Sequence, residues 1–180
     1  MSWIHTYKGN KFWPFSPRPE DIDIEEIAHA LALTCRFNGH CKCFYSVAEH
    51  SVRMAGFARS PVAALLHDAA EAYVSDLVTP IKRRVQGYKG IEETILAAIA
   101  VKYGLKPFFW KQAAVEEADL TMLATEARDL LVGSQDEWMP LPEPLPFKII
   151  PWSWEKAERE FLGAARVYQL PGVSSGRNRI

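Results

Sequence analysis

A histidine and an aspartate, His67 and Asp68, are adjacent inside an otherwise apolar segment, and Glu71 follows three and four positions later. Residues three and four apart lie on one face of a helix, so Glu71 is expected over the same spot. Placing these groups among apolar side chains costs free energy unless they are paired or bind a metal. The pattern therefore leaves two alternatives, a satisfied buried pair or a site for a divalent cation.

More ligands for such a cation lie elsewhere in the chain. His50 follows an apolar stripe on one predicted helix, and Asp119 lies in apolar company on another. Each alone is more typical of a satisfied core histidine or a helix-surface aspartate. Together with His67 and Asp68 they form a set sufficient to hold one cation, carried by three helices.

The elements that must position these residues are predicted to be helical. Apolar periodicity and capping signals predict six helices and a shorter basic helix within 76–85 that follows a turn. The six are expected over 24–35, 46–58, 61–73, 90–103, 110–131 and 153–168. Gly9-Asn10 suits a two-residue hairpin between short N-terminal strands, and Asp23 with Glu26 forms a capping box. The expected fold is all-α with a small N-terminal β-hairpin.

Composition narrows the function classes. The chain has 180 residues, 48% of them hydrophobic, and a net charge of −1, which fits one globular domain over 1–180 with a frayed tail at 171–180. Near-zero charge argues against binding to polymeric nucleic acid. No apolar run is long enough to span a membrane, and the start lacks the apolar core of a signal peptide.

The three cysteines lie within nine residues, at Cys35, Cys41 and Cys43. An odd number so closely spaced favours reduced thiols in a cytoplasmic protein. With His40 they offer an alternative zinc site, although the spacing lacks the C-x2-C of a strong zinc motif.

The segments around these residues resemble a known family. His50, His67–Asp68 and Asp119 look like the H…HD…D signature of HD-domain metal-dependent phosphohydrolases. The words RFNGH (36–40), YSVAEHS (45–51), LLHDAAEA (65–72) and TPIK (79–82) resemble its bacterial and phage nucleotide-hydrolysing branch. That branch includes 5′-deoxynucleotidases and is similar to phage deoxynucleoside triphosphohydrolases. The resemblance covers nearly the whole chain and implies an HD-domain helical bundle.

The resemblance also implies roles for individual residues. His50, His67, Asp68 and Asp119 would be the metal ligands. Glu71 would act as the acid/base group near the attacking water, and Asp76 would support it. Substrate contacts would come from Arg36 and Lys82 to phosphate and from Phe37 to the sugar, where the family more often has tryptophan.

The implied activity is metal-dependent hydrolysis of a phosphoester or phosphoanhydride bond in a nucleotide, with a deoxynucleoside 5′-monophosphate as the expected substrate. One divalent ion is expected, Mn, Co, Zn, Mg or Fe, because no histidine follows His67 to hold a second. Two imidazoles and two carboxylates neutralise that ion, so substrate charge must be met by Arg36 and Lys82. A triphosphate substrate would need more cationic groups in the pocket, for which Lys42, Arg83 and Lys111 are the candidates.

Alternatives to this activity are a deoxynucleoside triphosphate triphosphohydrolase and a catalytically silent nucleotide-binding module. Relatives form dimers or larger rings, so the resemblance leaves homo-oligomerisation open by analogy.

Overall fold

The computed structural model describes residues 2–133 and 140–173. It confirms an all-α fold with an N-terminal β-hairpin. The described helices are α1 (Ile24–Leu33), α2 (Val47–Ala55), α3 (Pro61–Leu66), α4 (Glu71–Val74), α5 (Thr79–Lys82), α6 (Tyr88–Tyr103), α7 (Ala113–Leu130) and α8 (Trp154–Val167). Short 3-10 turns cover Pro19–Asp21, Arg36–Gly39 and Phe109–Lys111.

The N-terminal hairpin joins β1 (Ile4–His5) to β2 (Lys11–Phe12) in antiparallel register. The predicted two-residue turn at Gly9-Asn10 was wrong. The Thr6 amide donates to the Asn10 carbonyl at 3.0 Å, and the Gly9 amide donates to the Thr6 carbonyl at 3.0 Å. Gly9 has a φ of +85°, so the connection is a three-residue loop that ends in a left-handed glycine.

Helix α1 begins at the predicted cap, but only half of the capping box forms. The Asp23 carboxylate accepts from the amides of Glu25 and Glu26. The Glu26 side chain does not return the bond. Its Oε1 instead accepts from the Thr6 hydroxyl at 2.6 Å and from the Asn10 side-chain amide at 3.0 Å. The glutamate therefore fastens the hairpin to α1 rather than closing the helix end.

The predicted continuous helix over 61–73 was also wrong. Helix α3 ends at Leu66, and α4 begins at Glu71 after a tightened turn. In a regular helix the Ala64 carbonyl accepts from the amide of residue 68. Here that carbonyl is 2.7 Å from Nδ1 of His67. The chemistry-bearing residues thus lie at the break itself, the sort of place where tightened helical turns often mark function.

Helix α2 lies at the centre of the fold. It packs against α1, α3, α7 and α8, and its residues Val47, Ala48 and Met54 are fully buried. Because α2 touches both α3 and α7, a side chain on its inner face can meet the end of α3 and the middle of α7 at one point.

The other predicted helices form with bounds within three residues of expectation. Residues 140–151 contain no helix or strand, as expected for a loop. The rest of that predicted loop, 134–139, and residues 174–180 of the predicted tail lie outside the described part. No helix in 2–133 or 140–173 combines the length and hydrophobicity that crossing a bilayer requires.

Candidate metal centre

His50 projects from the middle of α2 into the core. The helix is capped by Ser46, whose hydroxyl accepts from the Glu49 amide at 3.0 Å. His50 follows on the buried face and is fully buried. A fully buried imidazole must have its polar atoms paired, and both ring nitrogens of His50 have close neighbours.

Four of the predicted residues meet around Nε2 of His50. That atom is 3.4 Å from Nε2 of His67 and 3.3 Å from Oδ1 of Asp119. These three residues offer ligand atoms that all lie within 4.8 Å of one another. Asp68 flanks them, because its Oδ2 is 3.1 Å from Nε2 of His67 and 3.9 Å from Nε2 of His50. The arrangement could hold a metal ion, as the sequence predicts.

The outer ring nitrogens decide which atoms face the centre. Nδ1 of His67 is 2.7 Å from the Ala64 carbonyl, which can only accept, so Nδ1 carries the hydrogen. Nδ1 of His50 is 2.6 Å from Oε1 of Glu126, and an ionised carboxylate also only accepts. Both Nε2 atoms therefore point lone pairs at each other, a geometry that a cation between them stabilises. The donor set of two imidazoles and two carboxylates fits a borderline divalent cation.

The pKa directions agree with a site that attracts positive charge. Burial and Arg36 lower the pKa of His50, but Glu126 and Asp119 outweigh both and raise it to about 9. Burial raises the pKa of Asp119, but its hydrogen bond to His50 and the charges of His50 and His67 together outweigh burial and lower it. A proton therefore occupies the cluster when no metal does, and the two compete for the same lone pairs.

Arg36 lies directly beside this cluster, on the 3-10 turn Arg36–Gly39. Its Nη2 is 3.0 Å from Oε2 of Glu126 and its Nη1 is 3.6 Å from Oδ2 of Asp68. The buried Nε of Arg36 makes no hydrogen bond to any described residue. The Phe37 ring centroid is 5.3 Å from the Arg36 guanidinium carbon, and Phe37 has a φ of +57°. Arg36, the residue predicted to bind phosphate, thus lies next to the candidate metal ligands, and its neighbour Phe37 has a strained left-handed conformation.

Two further carboxyl groups, those of Glu71 and Asp76, lie beside the cluster, near Lys82 of α5. Nζ of Lys82 is 2.8 Å from Glu92 and 3.5 Å from Glu71. Burial, with the charges of Asp68 and Asp76, raises the pKa of Glu71 well above its usual value against the effect of Lys82. Burial likewise raises the pKa of the half-buried Asp76. These carboxyls can carry a proton closer to neutral pH than free carboxyls, which acid/base chemistry requires.

Comparison with known proteins gives relatives at the level of the whole chain. No family model matches. The protein named "Uncharacterized protein YfdR" from Escherichia coli K12 is 43% identical over 157 residues, which cover 84% of this chain and 86% of that protein. The chain belongs to the YfdR family.

A second member of the YfdR family is more distant. "Uncharacterized protein RCAP_rcc00048" from Rhodobacter capsulatus is 34% identical over 150 residues, 76% of each chain. Neither YfdR nor this second protein has a name that states an activity. The family assignment therefore establishes common ancestry, and the chemistry must be argued from the site.

Glu126 belongs to the candidate metal centre of this chain, and it was not predicted from the sequence. It lies on α7, is fully buried, and contacts both His50 and Arg36. One signal could have found it. Glu126 follows Asp119 by seven residues, two helical turns, so the two lie on one face of α7, and it stands beside the apolar Ala127.

The structure does not bring the three cysteines and His40 together as a group of metal ligands. Sγ of Cys35 is 3.9 Å from Sγ of Cys41, and all three cysteines are free. Among the described residues, the one group of histidine, cysteine or acidic side chains arranged for a metal is His50, His67 and Asp119. Burial raises the pKa of the Cys41 thiol to about 11, so it remains protonated at neutral pH.

Proposed function

We propose that this chain is a divalent-metal-dependent phosphohydrolase that acts on nucleotides, with a deoxynucleoside 5′-monophosphate as substrate. The observation that carries the proposal is the facing pair of Nε2 atoms of His50 and His67, 3.4 Å apart, each with its other nitrogen tied to an acceptor. Asp119 and Asp68 complete a ligand set for one cation. Beside it lie two carboxyls suited to moving a proton, the buried Glu71 and the half-buried Asp76.

The charges of the residues suit hydrolysis of a phosphate ester. Two neutral imidazoles and two carboxylates balance a divalent cation, so an anionic phosphate can approach without strong repulsion. A divalent cation held here would polarise the phosphate and acidify a water molecule. The site fits a single ion, since the described residues offer one such ligand group.

Proton transfer is assigned to Glu71. Its Oε2 is buried and makes no hydrogen bond to any described residue, and Lys82 stands 3.5 Å from its other oxygen. Glu71 takes a proton from water during attack and returns one to the leaving oxygen. Asp76 supports it, because its charge acts on the same carboxyl.

Phosphate binding is assigned to Arg36 and Lys82. Arg36 retains an unpartnered buried Nε among the described residues, and its guanidinium can present more than one N–H to phosphate. Lys82 is paired with Glu92, so it contributes charge to the pocket while it holds Glu71 in place. The sugar contact is assigned to Phe37, which packs beside Arg36. The nucleotide part of the proposal rests on the resemblance to HD-domain phosphohydrolases.

We propose a monophosphate rather than a triphosphate as substrate, because two of the three additional cationic side chains already have partners in the protein. Nζ of Lys42 donates to the Asp129 carbonyl at 3.1 Å, and Nζ of Lys111 is 2.8 Å from Glu93. Arg83 is exposed and remains the candidate for a longer phosphate chain. A triphosphohydrolase is therefore the second candidate.

The test is a nucleotide panel with a metal panel. The chelator-treated protein is reloaded with Mn²⁺, Co²⁺, Zn²⁺, Mg²⁺ or Fe²⁺ and incubated with deoxy- and ribonucleoside mono- and triphosphates, and the products are separated by chromatography. We expect nucleoside plus orthophosphate from the deoxynucleoside monophosphates. Nucleoside plus inorganic triphosphate would instead support the second candidate.

Matched variants on α7 control for contaminating phosphatase. Asp119→Ala removes a proposed ligand, whereas Glu117→Ala removes an exposed carboxylate from the same helix. We expect the first to abolish turnover and the second to preserve it. Nucleotide binding without product under every metal would overturn the enzymatic proposal in favour of a silent binding module.

A further inference from the structure

Glu126 joins two parts of the centre that come from different elements. Its Oε1 is 2.6 Å from Nδ1 of His50, and its Oε2 is 3.0 Å from Nη2 of Arg36. These contacts span 76 and 90 positions in the chain. Since Glu126 is fully buried, neither of its oxygens reaches bulk water.

The contact to His50 has a direct consequence for metal binding. A carboxylate that accepts the Nδ1 hydrogen fixes the ring orientation, places the lone pair of the neutral ring on Nε2 and makes that nitrogen a stronger metal ligand. In His67 the Nδ1 hydrogen is accepted by a neutral backbone carbonyl instead of a carboxylate. The two imidazoles therefore differ, and His50 is the one supported by a charge.

The contact to Arg36 has a consequence for substrate binding. An arginine side chain has many rotamers, and hydrogen bonds from its guanidinium restrict it to one position. Glu126 holds Nη2, and Asp68 lies 3.6 Å from Nη1. The remaining buried donor, Nε, is left without a described partner.

We propose that Glu126 is a positioning residue that orients His50 for the metal with one oxygen and Arg36 for the substrate phosphate with the other. The first half requires only a metal site, and the second half rests on the proposed function. A single side chain thereby links metal loading to phosphate binding. A purely structural buried ion pair would instead contribute to folding and leave both binding constants unchanged.

Glu126→Gln separates these readings, with Glu49→Gln as the matched control. Glu49 is also a fully buried glutamate with an arginine partner, Arg53, and no described hydrogen bond or ion pair joins it to the proposed ligands. The glutamine at 126 can still accept from His50 with its carbonyl, but its amide group faces Arg36 as a donor instead of an acceptor.

Two measurements are made on each variant. Isothermal titration of metal-free protein with Mn²⁺ or Zn²⁺ gives the metal Kd, and steady-state kinetics at saturating metal gives KM for the nucleotide. We expect Glu126→Gln to weaken metal binding by about 10- to 100-fold and to raise KM. Glu49→Gln should change both constants less than twofold. Equal metal affinity in wild type and Glu126→Gln would overturn the first half of the proposal.

Arg36→Met tests the second half, because it removes the cation and keeps the bond from Glu126 to His50. We expect KM to rise while metal affinity is not weakened. Weakened metal affinity in Arg36→Met would overturn the assignment of the two Glu126 oxygens to separate roles. If wild type binds metal but hydrolyses no nucleotide, the proposed function fails while the metal half of this inference is still measured.

Glu126→Asp is used if the glutamine variant does not fold. It keeps the charge but is one methylene shorter, so it cannot reach partners at both 2.6 and 3.0 Å. At least one of the two binding constants must then change. Unchanged metal Kd and KM in a folded Glu126→Asp protein would overturn the proposal.

Discussion

Glu49 and Glu126 are both fully buried and both paired with an arginine, but their surroundings differ. Glu49 binds Arg53 one helical turn away on α2 and accepts from the Trp152 amide at 2.8 Å. Arg53 in turn donates to the Ile150 carbonyl and stacks 4.6 Å from the Trp152 ring. The polar atoms around Glu49 are thus used to attach the 150–152 segment to α2.

The two partners of Glu126, in contrast, each keep a nitrogen atom that Glu126 does not bond. His50 presents Nε2 to the cluster, and Arg36 keeps a buried Nε without a described partner. The pKa directions follow the same division. Burial raises the pKa of Glu49 despite its partners, whereas Arg36 and His50 outweigh burial and lower the pKa of Glu126. A buried charged residue alone therefore does not indicate a binding site. The more informative feature is that the partners of that residue keep polar atoms able to bind a ligand.

The largest expected effect separates the two regions by activity. Asp68→Ala removes a carboxylate that lies near both imidazoles and Arg36, so we expect turnover to fall below detection while the circular dichroism spectrum is unchanged. Glu49→Gln should retain turnover. Full activity of metal-depleted Asp68→Ala in the nucleotide assay would end the catalytic assignment.

Metal removal is expected to affect stability through the Glu126 region. A ligand present at 100 times its Kd stabilises the native state by about 2.7 kcal/mol, which for a chain of this size corresponds to roughly 5–10 °C in Tm. Differential scanning fluorimetry with chelator and then Mn²⁺ or Zn²⁺ measures the shift. Asp119→Ala should lose it and Glu49→Gln should keep it; a shift that survives in Asp119→Ala would place the ion elsewhere.

The pH dependence of the metal-free protein sharpens the same contrast. The pKa of His50 is raised from 6.5 to about 9, so its stabilisation is complete below pH 6.5 and is lost as pH rises through about 9. The raised pKa of Glu71 acts with the same sign. Urea unfolding between pH 6.5 and 9 should show falling stability without metal and a shallower fall with metal, since the cation replaces the proton. Stability that rises with pH in the metal-free protein would contradict this assignment.

The smallest expected effect acts on both regions together. Ser46 caps the helix that carries Glu49 and His50, so Ser46→Ala should lower the free energy of unfolding by about 1 kcal/mol. Metal affinity should be unchanged, because the cap contacts neither imidazole. A large loss of metal affinity in Ser46→Ala would mean that the end of α2, and not Glu126, determines the position of His50.

Much of the local structure was predictable from sequence. The helix starts at Asp23 and Ser153 are short-range events, since each side chain bonds amides two or three residues ahead. The left-handed Gly104 that ends α6 is equally local. Residue type and spacing also indicated His50, His67, Asp68 and Asp119, because ionisable groups in apolar helices require partners.

Long-range partners were not predictable in the same way. The sequence offered Glu26 as a helix cap, yet it binds the hairpin, and it offered 61–73 as one helix, yet His67 takes the Ala64 carbonyl and the helix breaks. Glu126 carries no local signal beyond its place on the face of Asp119. Each outcome depends on which segment packs alongside, and local propensity contains no information about that.

By itself, the sequence indicated which residues could bind a cation and placed His50 and Asp119 on the helices that carry them, because helix periodicity and the cost of burying charge are local rules. Only the tertiary structure decided that two Nε2 atoms face each other and that one buried carboxylate holds both His50 and Arg36. The physical reason is that a hydrogen bond requires its two atoms within about 3 Å, and for partners 76 and 90 positions apart only the packing of α2, α7 and the 36–39 turn brings them there.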